Sequence, residues 1–261
     1  MSEVVLGTVT ASLAVLWNAG LRFGSAIDVG AADGQFSVSL YEVGVFDGCR
    51  MLNLDANEIY RESLEAIRAA IGADYRICAV AERSGTIDMV RTAHPYWNAA
   101  LPPDHAYWQT AGGAAKERTA RASRTLDDLA AELALPGPFF IKLDIQGGEL
   151  AALAGATRIL ADTAVIAVET TLADFDAIHR FVSDRGFVLF DLTQINRMGD
   201  GSAGWFYPVY LDRARAALRP AVQWFEVDAP QEVAHQDGHR AHVQRWIADA
   251  LARRRSAGRA R

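Results

Sequence analysis

Several features that define whole classes of protein are scarce in this sequence. Its two cysteines, Cys49 and Cys78, are too few for a disulfide framework or a cysteine-rich metal site, and we expect no bound metal. No run of apolar residues approaches the ~18–20 that a membrane-spanning helix needs. The N-terminal residues carry an acid, Glu3, and no basic segment, so we expect no signal peptide. These absences favour a cytoplasmic protein without a membrane span.

An excess of basic charge is also missing. Across 261 residues the net charge is −6, from 26 Lys and Arg against 32 Asp and Glu. Because broad affinity for nucleic acid needs a basic surface that releases counterions, nucleic acid is not an expected partner. For the arginine-rich end of the chain, a solvated tail is favoured over a contact with acidic lipid, glycan or protein.

What is present is an alternation of strands and helices in a chain that is 51% hydrophobic. Alternation of this kind predicts an α/β fold with a doubly wound, mostly parallel seven-stranded sheet. Its last two strands have only a turn-like connection between them, so we expect a C-terminal antiparallel hairpin. The predicted strands cover 25–29, 51–54, 75–81, 139–143, 164–168, 187–192 and 205–211.

The expected domain spans residues 1–229 and is followed by a C-terminal helix and basic tail over 230–261. Residues 85–90 are a candidate extra strand, and residues 91–120 are expected to be irregular. The oligomeric state stays open: Val209, Tyr210 and the C-terminal helix either cover a sheet edge or form a contact in a homo-oligomer.

A glycine-containing turn, Asp-Val-Gly-Ala-Ala-Asp-Gly, follows the first predicted strand. Ligands of open α/β sheets bind at the carboxyl ends of strands, where glycine lets the backbone approach them. The turn lacks the G-x-G-x-x-G fingerprint, and its acids would repel a pyrophosphate. They suit a ligand of net positive charge such as S-adenosylmethionine. The predicted cofactor contacts in the turn are Asp28, Gly30, Ala31, Asp33 and Gly34.

The ends of the next two strands add further candidate cofactor contacts. Asp55 ends the second strand, and a carboxylate there can accept both hydroxyls of a ribose, a feature that NAD sites share. Ala56 follows it directly. Ala79, at the end of the third strand, is predicted to flank the adenine ring, and simple core packing explains it equally well.

The richest segment joins the fourth strand to the next helix and reads Phe-Phe-Ile-Lys-Leu-Asp-Ile-Gln-Gly-Gly-Glu-Leu. Asp144 is expected on the same sheet edge as Asp28. Lys142 is interpreted as a strand residue paired with an acid. Glu149 lies in the first helical turn, where it is either a substrate contact or a cap favoured by the helix dipole. Glu169 ends the following strand.

These motifs resemble the FkbM family of methyltransferases over roughly residues 8–212. Two positions depart from the family pattern. Ala32 stands where the family usually has Asn, and Gln146 stands where it usually has the first Glu of Lys-x-Asp-x-Glu-Gly-x-Glu. The segments that carry the resemblance are 27–34, 125–129, 141–149, 153–156, Glu169 and Gly186-Phe187.

The resemblance implies a Rossmann-like class I fold and transfer of a methyl group from S-adenosylmethionine, usually to a hydroxyl of a polyketide, sugar or surface glycan. It implies that Asp28, Gly30 and Gly34 shape the methionine end of the site and that Asp55 holds the ribose. It places Asp144 where cofactor meets substrate. An alcohol must lose its proton during transfer, which calls for a nearby base, and Asp144 is the first candidate.

A second candidate base, His94, lies in the 91–120 segment among aromatic residues. This segment is interpreted either as a substrate lid or as a loop with its own small core. The candidate substrate contacts are Glu149, Glu169, Tyr96 and Trp97, and the expected partner is a small-molecule or glycan hydroxyl. A magnesium ion held by Asp144 and Glu169 is not favoured. Two alternatives stay open: an NAD-dependent oxidoreductase, and a non-catalytic cofactor-binding module.

Overall fold

The computed structural model describes residues 7–45, 47–91 and 117–218. Its α-helices are α1 (Val9–Asn18), α2 (Gln35–Glu42), α3 (Arg61–Ile71), α4 (Leu126–Glu132), α5 (Glu149–Ala154), α6 (Thr157–Leu160) and α7 (Leu172–Ser183). Its strands are β1 (Ser25–Val29), β2 (Arg50–Asp55), β3 (Asp74–Ile77), β4 (Ala79–Val80), β5 (Gly85–Arg91), β6 (Glu117–Arg124), β7 (Phe139–Leu143), β8 (Thr163–Val168), β9 (Thr170–Thr171), β10 (Phe187–Thr193) and β11 (Trp205–Asp212).

The main sheet has the strand order β10-β11-β8-β7-β1-β2-β3. Strands β3, β2, β1, β7 and β8 run parallel, and β11 runs antiparallel to both β8 and β10. This confirms the doubly wound sheet with its late antiparallel hairpin. Strands β1, β7 and β8 are buried along their whole length, which explains their continuous apolar runs.

A second, three-stranded sheet has the order β4-β6-β5 and was only partly expected. Residues 117–120, predicted as irregular, lie in β6, which pairs antiparallel with β5. The prediction failed because the described part of β6 alternates small and polar side chains and has no apolar run. The predicted strand over 75–81 is also interrupted at Cys78, whose N–H donates to the Asp55 carbonyl.

Helices cover both faces of the main sheet. On one face, α1 packs Leu13 and Leu16 near Phe140 and Val209. The N-terminus of α1 is capped by Thr8, whose side chain accepts a hydrogen bond from the Ala11 N–H. On the other face, a larger cluster is built from β7, β8 and helices α4 to α7. No helix in the described ranges combines the length and apolar character needed to cross a bilayer.

Candidate active site

The strand register brings the ends of four parallel strands level with one another. Val29 pairs with Leu54 of β2 on one side and with Leu143 of β7 on the other. Leu143 in turn pairs with Val168 of β8. The residues that directly follow these four therefore form a transverse row across the carboxyl edge of the sheet: Asp55, Gly30, Asp144 and Glu169.

The antiparallel strand β11 extends this row by one residue. It pairs Val209 with Ala167 and, at its first residue, reaches Thr171. The same register places Tyr207 opposite Glu169. The Tyr207 hydroxyl donates a hydrogen bond to Asp144 Oδ2 at 2.7 Å, so the row ends in a phenol that contacts the acid directly after β7.

Two residues before the row on each strand, Asp28 of β1 and Lys142 of β7 are directly paired. Lys142 Nζ lies 3.0 Å from Asp28 Oδ1 and 3.4 Å from Asp144 Oδ2, and both Lys142 and Asp28 are buried. The pairing of Lys142 with an acid that the sequence predicted is thus present. Burial by itself would lower the pKa of Lys142, but the two carboxylates outweigh it and hold that pKa above its usual range.

The second oxygen of Asp28 is a candidate contact for a ligand. Asp28 Oδ2 is fully buried and has no hydrogen-bond partner among the described residues. Burial raises the pKa of Asp28 despite the ion pair with Lys142. A buried carboxylate oxygen without a donor is costly unless a ligand supplies one. This oxygen fits the ammonium group of a cationic cofactor such as S-adenosylmethionine.

Asp144 is the most highly connected side chain of the row. Besides Lys142 and Tyr207, it accepts a hydrogen bond from Gln146 Nε2, 3.0 Å from Asp144 Oδ1. Burial by itself would raise the pKa of Asp144. The ammonium of Lys142 and the hydrogen bonds from its neighbours outweigh burial and hold that pKa below its ordinary value. Asp144 is therefore held as a carboxylate.

Glu169 lies beside Asp144, and its pKa is shifted in the opposite direction. Its Oε2 atom is 2.6 Å from the same Gln146 nitrogen. Burial and the adjacent Asp144 carboxylate raise the pKa of Glu169 well above its ordinary value. The environment of the two acids therefore shifts their pKa values in opposite directions, downward for Asp144 and upward for Glu169.

The glycine turn after β1 packs against the turn after β7. A Cβ atom built on Gly30 would lie 1.8 Å from the Asp144 carbonyl oxygen, and one on Gly34 would lie 2.3 Å from Ile67 Cδ1. Both glycines have φ values of +81°, in the left-handed region. Glycine has no Cβ and adopts a left-handed φ without strain, which accounts for the two glycines of the motif.

Asp55, the last residue of β2, accepts a hydrogen bond from the same glycine turn. Its Oδ2 accepts a hydrogen bond from the Ala32 N–H at 2.9 Å, and its Oδ1 accepts one from the Asn57 N–H at 2.7 Å. Each carboxylate oxygen keeps a further lone pair for a ligand hydroxyl. Burial raises the pKa of Asp55 to about 6, although the two backbone donors lower it.

Ala32, which stands where the family usually has Asn, adopts a φ of +48°. This left-handed conformation is unfavourable for alanine and easier for Asn or Gly. We expect Ala32→Gly to raise the free energy of unfolding by about 0.5–1 kcal/mol, because relief of strain exceeds the added entropy of the unfolded chain. Urea denaturation measures the change.

The matched control is Ala66→Gly, in the exposed interior of α3. There the same substitution should lower stability by about 1 kcal/mol. If Ala32→Gly and Ala66→Gly changed the free energy of unfolding in the same direction, the assignment of strain to Ala32 would be contradicted.

Glu149 caps its own turn. Its Oε1 accepts a hydrogen bond from the Ile145 N–H at 3.0 Å, and its Oε2 accepts one from the Gly147 N–H at 2.9 Å. The residue is only 5% exposed. Both oxygens of Glu149 thus accept hydrogen bonds from the turn that precedes α5, and a contact with the substrate stays a prediction.

Burial raises the pKa of Glu149 from 4.5 to about 7. Stabilisation associated with its protonated form is complete below the unfolded pKa and disappears as the pH rises through about 7. We expect Glu149 to contribute a loss of about 2–3 kcal/mol in unfolding free energy between pH 5 and pH 8. Glu149→Gln should remove this part of the pH dependence in urea denaturation at each pH.

The control variant is Glu62→Gln on the exposed side of α3. If the pH dependence of stability in Glu149→Gln matched that of wild type and of this control, the raised pKa of Glu149 would be refuted.

The remaining predicted site residues lie in the turns after β1 and β2, in β4 of the second sheet, or outside the described ranges. Ala31 and Ala79 are buried, and Ala56 is partly buried beside Asp55. Asp33 accepts a hydrogen bond from Gln35 Nε2 at 2.9 Å. Three predicted residues fall outside the part of the chain that the structure describes: His94, Tyr96 and Trp97. Their roles stay predictions, as does the lid over 91–120.

Sequence reasoning missed the role of Tyr207 and gave none to Gln146 beyond its departure from the family motif. Tyr207 lies inside an apolar strand and looks like a core residue. Its contact with Asp144 depends on the register of three strands. Counting along β11 from its pairing with β8 would have revealed Tyr207, had the strand order been known.

The fold and the acid-lined glycine turn define a class I, Rossmann-like methyltransferase architecture. Sequence comparison makes the assignment specific: a family profile for the Methyltransferase FkbM domain matches residues 28–189. The chain belongs to the FkbM methyltransferase family, which confirms the resemblance seen in the sequence and favours methyl transfer over the oxidoreductase alternative. No curated protein sequence matches the chain.

Several solved structures similar to this chain are methyltransferases, and one is a branched-chain polyamine synthase from Thermus thermophilus. An FkbM methyltransferase from Methylobacillus flagellatus KT has 19% identity and a TM-score of 0.47, with 76% of this chain and 47% of that chain covered. The O-methyltransferase TomG from Streptomyces achromogenes, in complex with SAM, has 12% identity and a TM-score of 0.43, covering 81% and 83%. A putative tRNA (m1A22) methyltransferase from Streptococcus pneumoniae, also with S-adenosyl-L-methionine, has 13% identity and a TM-score of 0.43, covering 78% and 73%. This chain thus spans about half the length of its FkbM neighbour.

Proposed function

We propose that this protein transfers a methyl group from S-adenosylmethionine to a hydroxyl oxygen of a small molecule or glycan. The observation that carries the proposal is the transverse row, which places an acid-lined glycine turn beside the ionised Asp144. The fold and family support methyl transfer in general. The choice of oxygen as acceptor rests on the resemblance to the family and on Asp144 as a base for the proton that an alcohol must lose during transfer.

The residues on β1 and β2 fit the cofactor. Asp28 Oδ2 lacks a donor among the described residues and would accept hydrogen bonds from the cofactor ammonium. Gly30 leaves room for close approach to the backbone, and Asp55 would accept the ribose hydroxyls. Ala79 would lie at the adenine side. Bound there, S-adenosylmethionine supplies an activated methyl group on a sulfonium, whose positive charge suits the surrounding carboxylates.

Asp144 would orient the acceptor hydroxyl. In methyl transfer, alignment of the attacking oxygen with the methyl carbon supplies much of the rate enhancement. Because its pKa is held low, Asp144 is a weak base before transfer. It therefore accepts a hydrogen bond from the hydroxyl and takes the proton only as the new C–O bond forms and the oxygen becomes acidic. His94 remains the alternative base.

The proposed cofactor is tested by calorimetric titration with S-adenosylhomocysteine. We expect micromolar binding to wild type and at least a tenfold loss in Asp55→Ala, because the variant removes the carboxylate that orders the turn and would hold the ribose. Asp55→Asn, which keeps one acceptor oxygen, separates a local loss of binding from unfolding. Absence of binding to folded wild type would refute the proposal.

The acceptor atom is tested with S-adenosylmethionine carrying a tritiated methyl group. A panel of alcohols is compared with amines of matched skeleton, and incorporation into the alcohols alone is the expected result. Incorporation only into the amines would contradict oxygen as the acceptor atom and leave the cofactor assignment intact.

A further inference from the structure

A single glutamine lies between the two acids at one end of the transverse row. The Gln146 amide nitrogen is 3.0 Å from Asp144 Oδ1 and 2.6 Å from Glu169 Oε2. An amide NH2 group carries two hydrogens, so one nitrogen donates both hydrogen bonds. Gln146 therefore connects the turn after β7 to the residue after β8, beside the carboxylate to which the proposed function brings the acceptor.

The backbone of Gln146 adopts a conformation that its residue type disfavours. Its φ is +58°, in the left-handed region, and the φ of Gly147 is +101°. A Cβ atom is crowded by the backbone in this region, which is visited mainly by glycine and, less often, by asparagine and aspartate. Glycine would relieve the strain at position 146, but it would remove the donor that the two acids share.

Hydrogen bonds on either side of Gln146 hold this conformation. The Glu149 carboxylate accepts one from the Ile145 N–H at 3.0 Å and another from the Gly147 N–H at 2.9 Å. A strained backbone persists only where its surroundings fix it, and such positions cluster at functional sites. The cap by Glu149 thus fixes the backbone before and after Gln146, the residue that contacts both acids.

Titratable groups from several elements surround Asp144. Burial by itself would raise the pKa of Asp144, and the Lys142 ammonium together with the hydrogen bonds from Tyr207 and Gln146 outweighs burial. Arg197, in the hairpin before β11, donates instead to a backbone carbonyl of its own turn. The titratable groups that act on Asp144 are Asp28 of β1, Lys142 of β7, Glu149 of α5, Glu169 after β8 and Tyr207 of β11.

A glutamate, which the family usually has at position 146, would act differently on these acids. An ionised carboxylate has no hydrogen to donate, and it would add a third negative charge beside Asp144 and Glu169. The amide of Gln146 stabilises both acids without adding charge. The departure from the family motif therefore coincides with the contact that joins the two acids.

We propose, on the basis of the proposed function, that Gln146 is a positioning residue for methyl transfer. Its amide holds the Asp144 and Glu169 carboxyl groups in one fixed arrangement and so presents Asp144 to the acceptor hydroxyl. As the C–O bond forms and the bond from the methyl carbon to sulfur breaks, the hydroxyl proton passes to Asp144. Gln146 takes up no proton and acts by keeping the recipient of the proton in place.

The first test needs no acceptor. The full chain is labelled with 13C at the aspartate carboxyl carbons, and carbon NMR follows the Asp144 resonance over a range of pH. Asp144→Asn assigns this resonance by its loss. Gln146→Ala should raise the proton affinity of Asp144 roughly tenfold, because the carboxylate loses one donated hydrogen bond.

The matched control is Gln194→Ala. Gln194 also has a left-handed φ, +49°, and its Oε1 lies 3.5 Å from the Val9 nitrogen, with no acid as its hydrogen-bond partner among the described contacts. This substitution should leave the Asp144 titration unchanged.

The second test measures transfer of a tritiated methyl group to the best acceptor of the alcohol panel. Gln146→Ala should lower kcat at least about tenfold and keep the KM for S-adenosylmethionine within about twofold. Because Asp144 must be ionised to take the proton, the acidic limb of the kcat profile should move to higher pH. A purely structural role for Gln146 would leave that limb in place.

Two further variants separate positioning from strain. Gln146→Gly should melt about 1–4 °C higher than Gln146→Ala, because glycine adopts the left-handed region without strain. It should nevertheless transfer methyl groups as slowly as Gln146→Ala, and so should Gln146→Glu, which keeps the length of the side chain without its hydrogens.

Wild-type kcat in folded Gln146→Ala and Gln146→Gly, or an unmoved Asp144 titration, would overturn this proposal alone. Failure of wild type to bind S-adenosylhomocysteine, or to methylate any alcohol, would instead refute the proposed function on which it rests.

Discussion

Replacing Lys142 with methionine should lower the free energy of unfolding by about 3–5 kcal/mol. The substitution keeps most of the side-chain volume but leaves Asp28 and Asp144 without the ammonium that contacts both of them. Two buried carboxylates then repel each other in a medium that screens them weakly. Urea denaturation at neutral pH measures the loss, which should shrink toward pH 5 as the carboxyls take up protons.

An exposed ion pair provides the matched control for this prediction. Arg180 of α7 pairs with Asp176, and the two side chains are 69% and 77% exposed. Arg180→Met should therefore cost less than about 0.5 kcal/mol. Adding Asp28→Asn to Lys142→Met should restore part of the lost stability. A loss below about 1 kcal/mol in Lys142→Met would show that the buried pair is not required for folding.

Replacing Asp28 with asparagine should weaken binding of S-adenosylhomocysteine by at least about 30-fold, equivalent to about 2 kcal/mol or more. One oxygen can still accept the hydrogen bond from Lys142. The other oxygen, which has no partner among the described residues, is replaced by an amide nitrogen. A donor then faces the ammonium of the ligand, and the negative charge is gone. Isothermal titration calorimetry measures the change.

Asp74→Asn serves as the control for the Asp28 variant. Asp74 begins β3, away from the carboxyl edge, and its side chain is partly exposed beside Arg50 at 3.5 Å. Its substitution should leave the affinity unchanged. Affinity equal to wild type in folded Asp28→Asn would remove Asp28 from the cofactor site and leave the family assignment untouched.

The parts of the structure that could be predicted from the sequence are those that depend on local patterns. Buried strands such as β7 and β8 have continuous apolar runs, and the residue after each strand belongs to the ligand-binding edge by the geometry of parallel sheets. This reasoning placed Asp55 and Asp144 on one edge, where the structure has them.

What could not be predicted depends on pairing between distant segments. The strand β6 has no apolar run, since it lies in a partly exposed hairpin. Tyr207 reaches Asp144, 63 positions away in the chain, because β11 inserts between β8 and β10. The capping of its own turn by Glu149 depends on the rotamer of one side chain, which no sequence pattern specifies.

A chain of hydrogen bonds runs across the sheet from Asp28 through Lys142 and Asp144 to Tyr207. These bonds link β1, β7 and β11 at the edge where the backbone ladder between strands ends. Asp28 and Lys142 pair within the β1–β7 ladder, and the contact of Asp144 with Tyr207 continues the connection past the last residues of β7. These contacts thus stiffen the two turns that must keep a fixed relative position for a group to be transferred between two ligands.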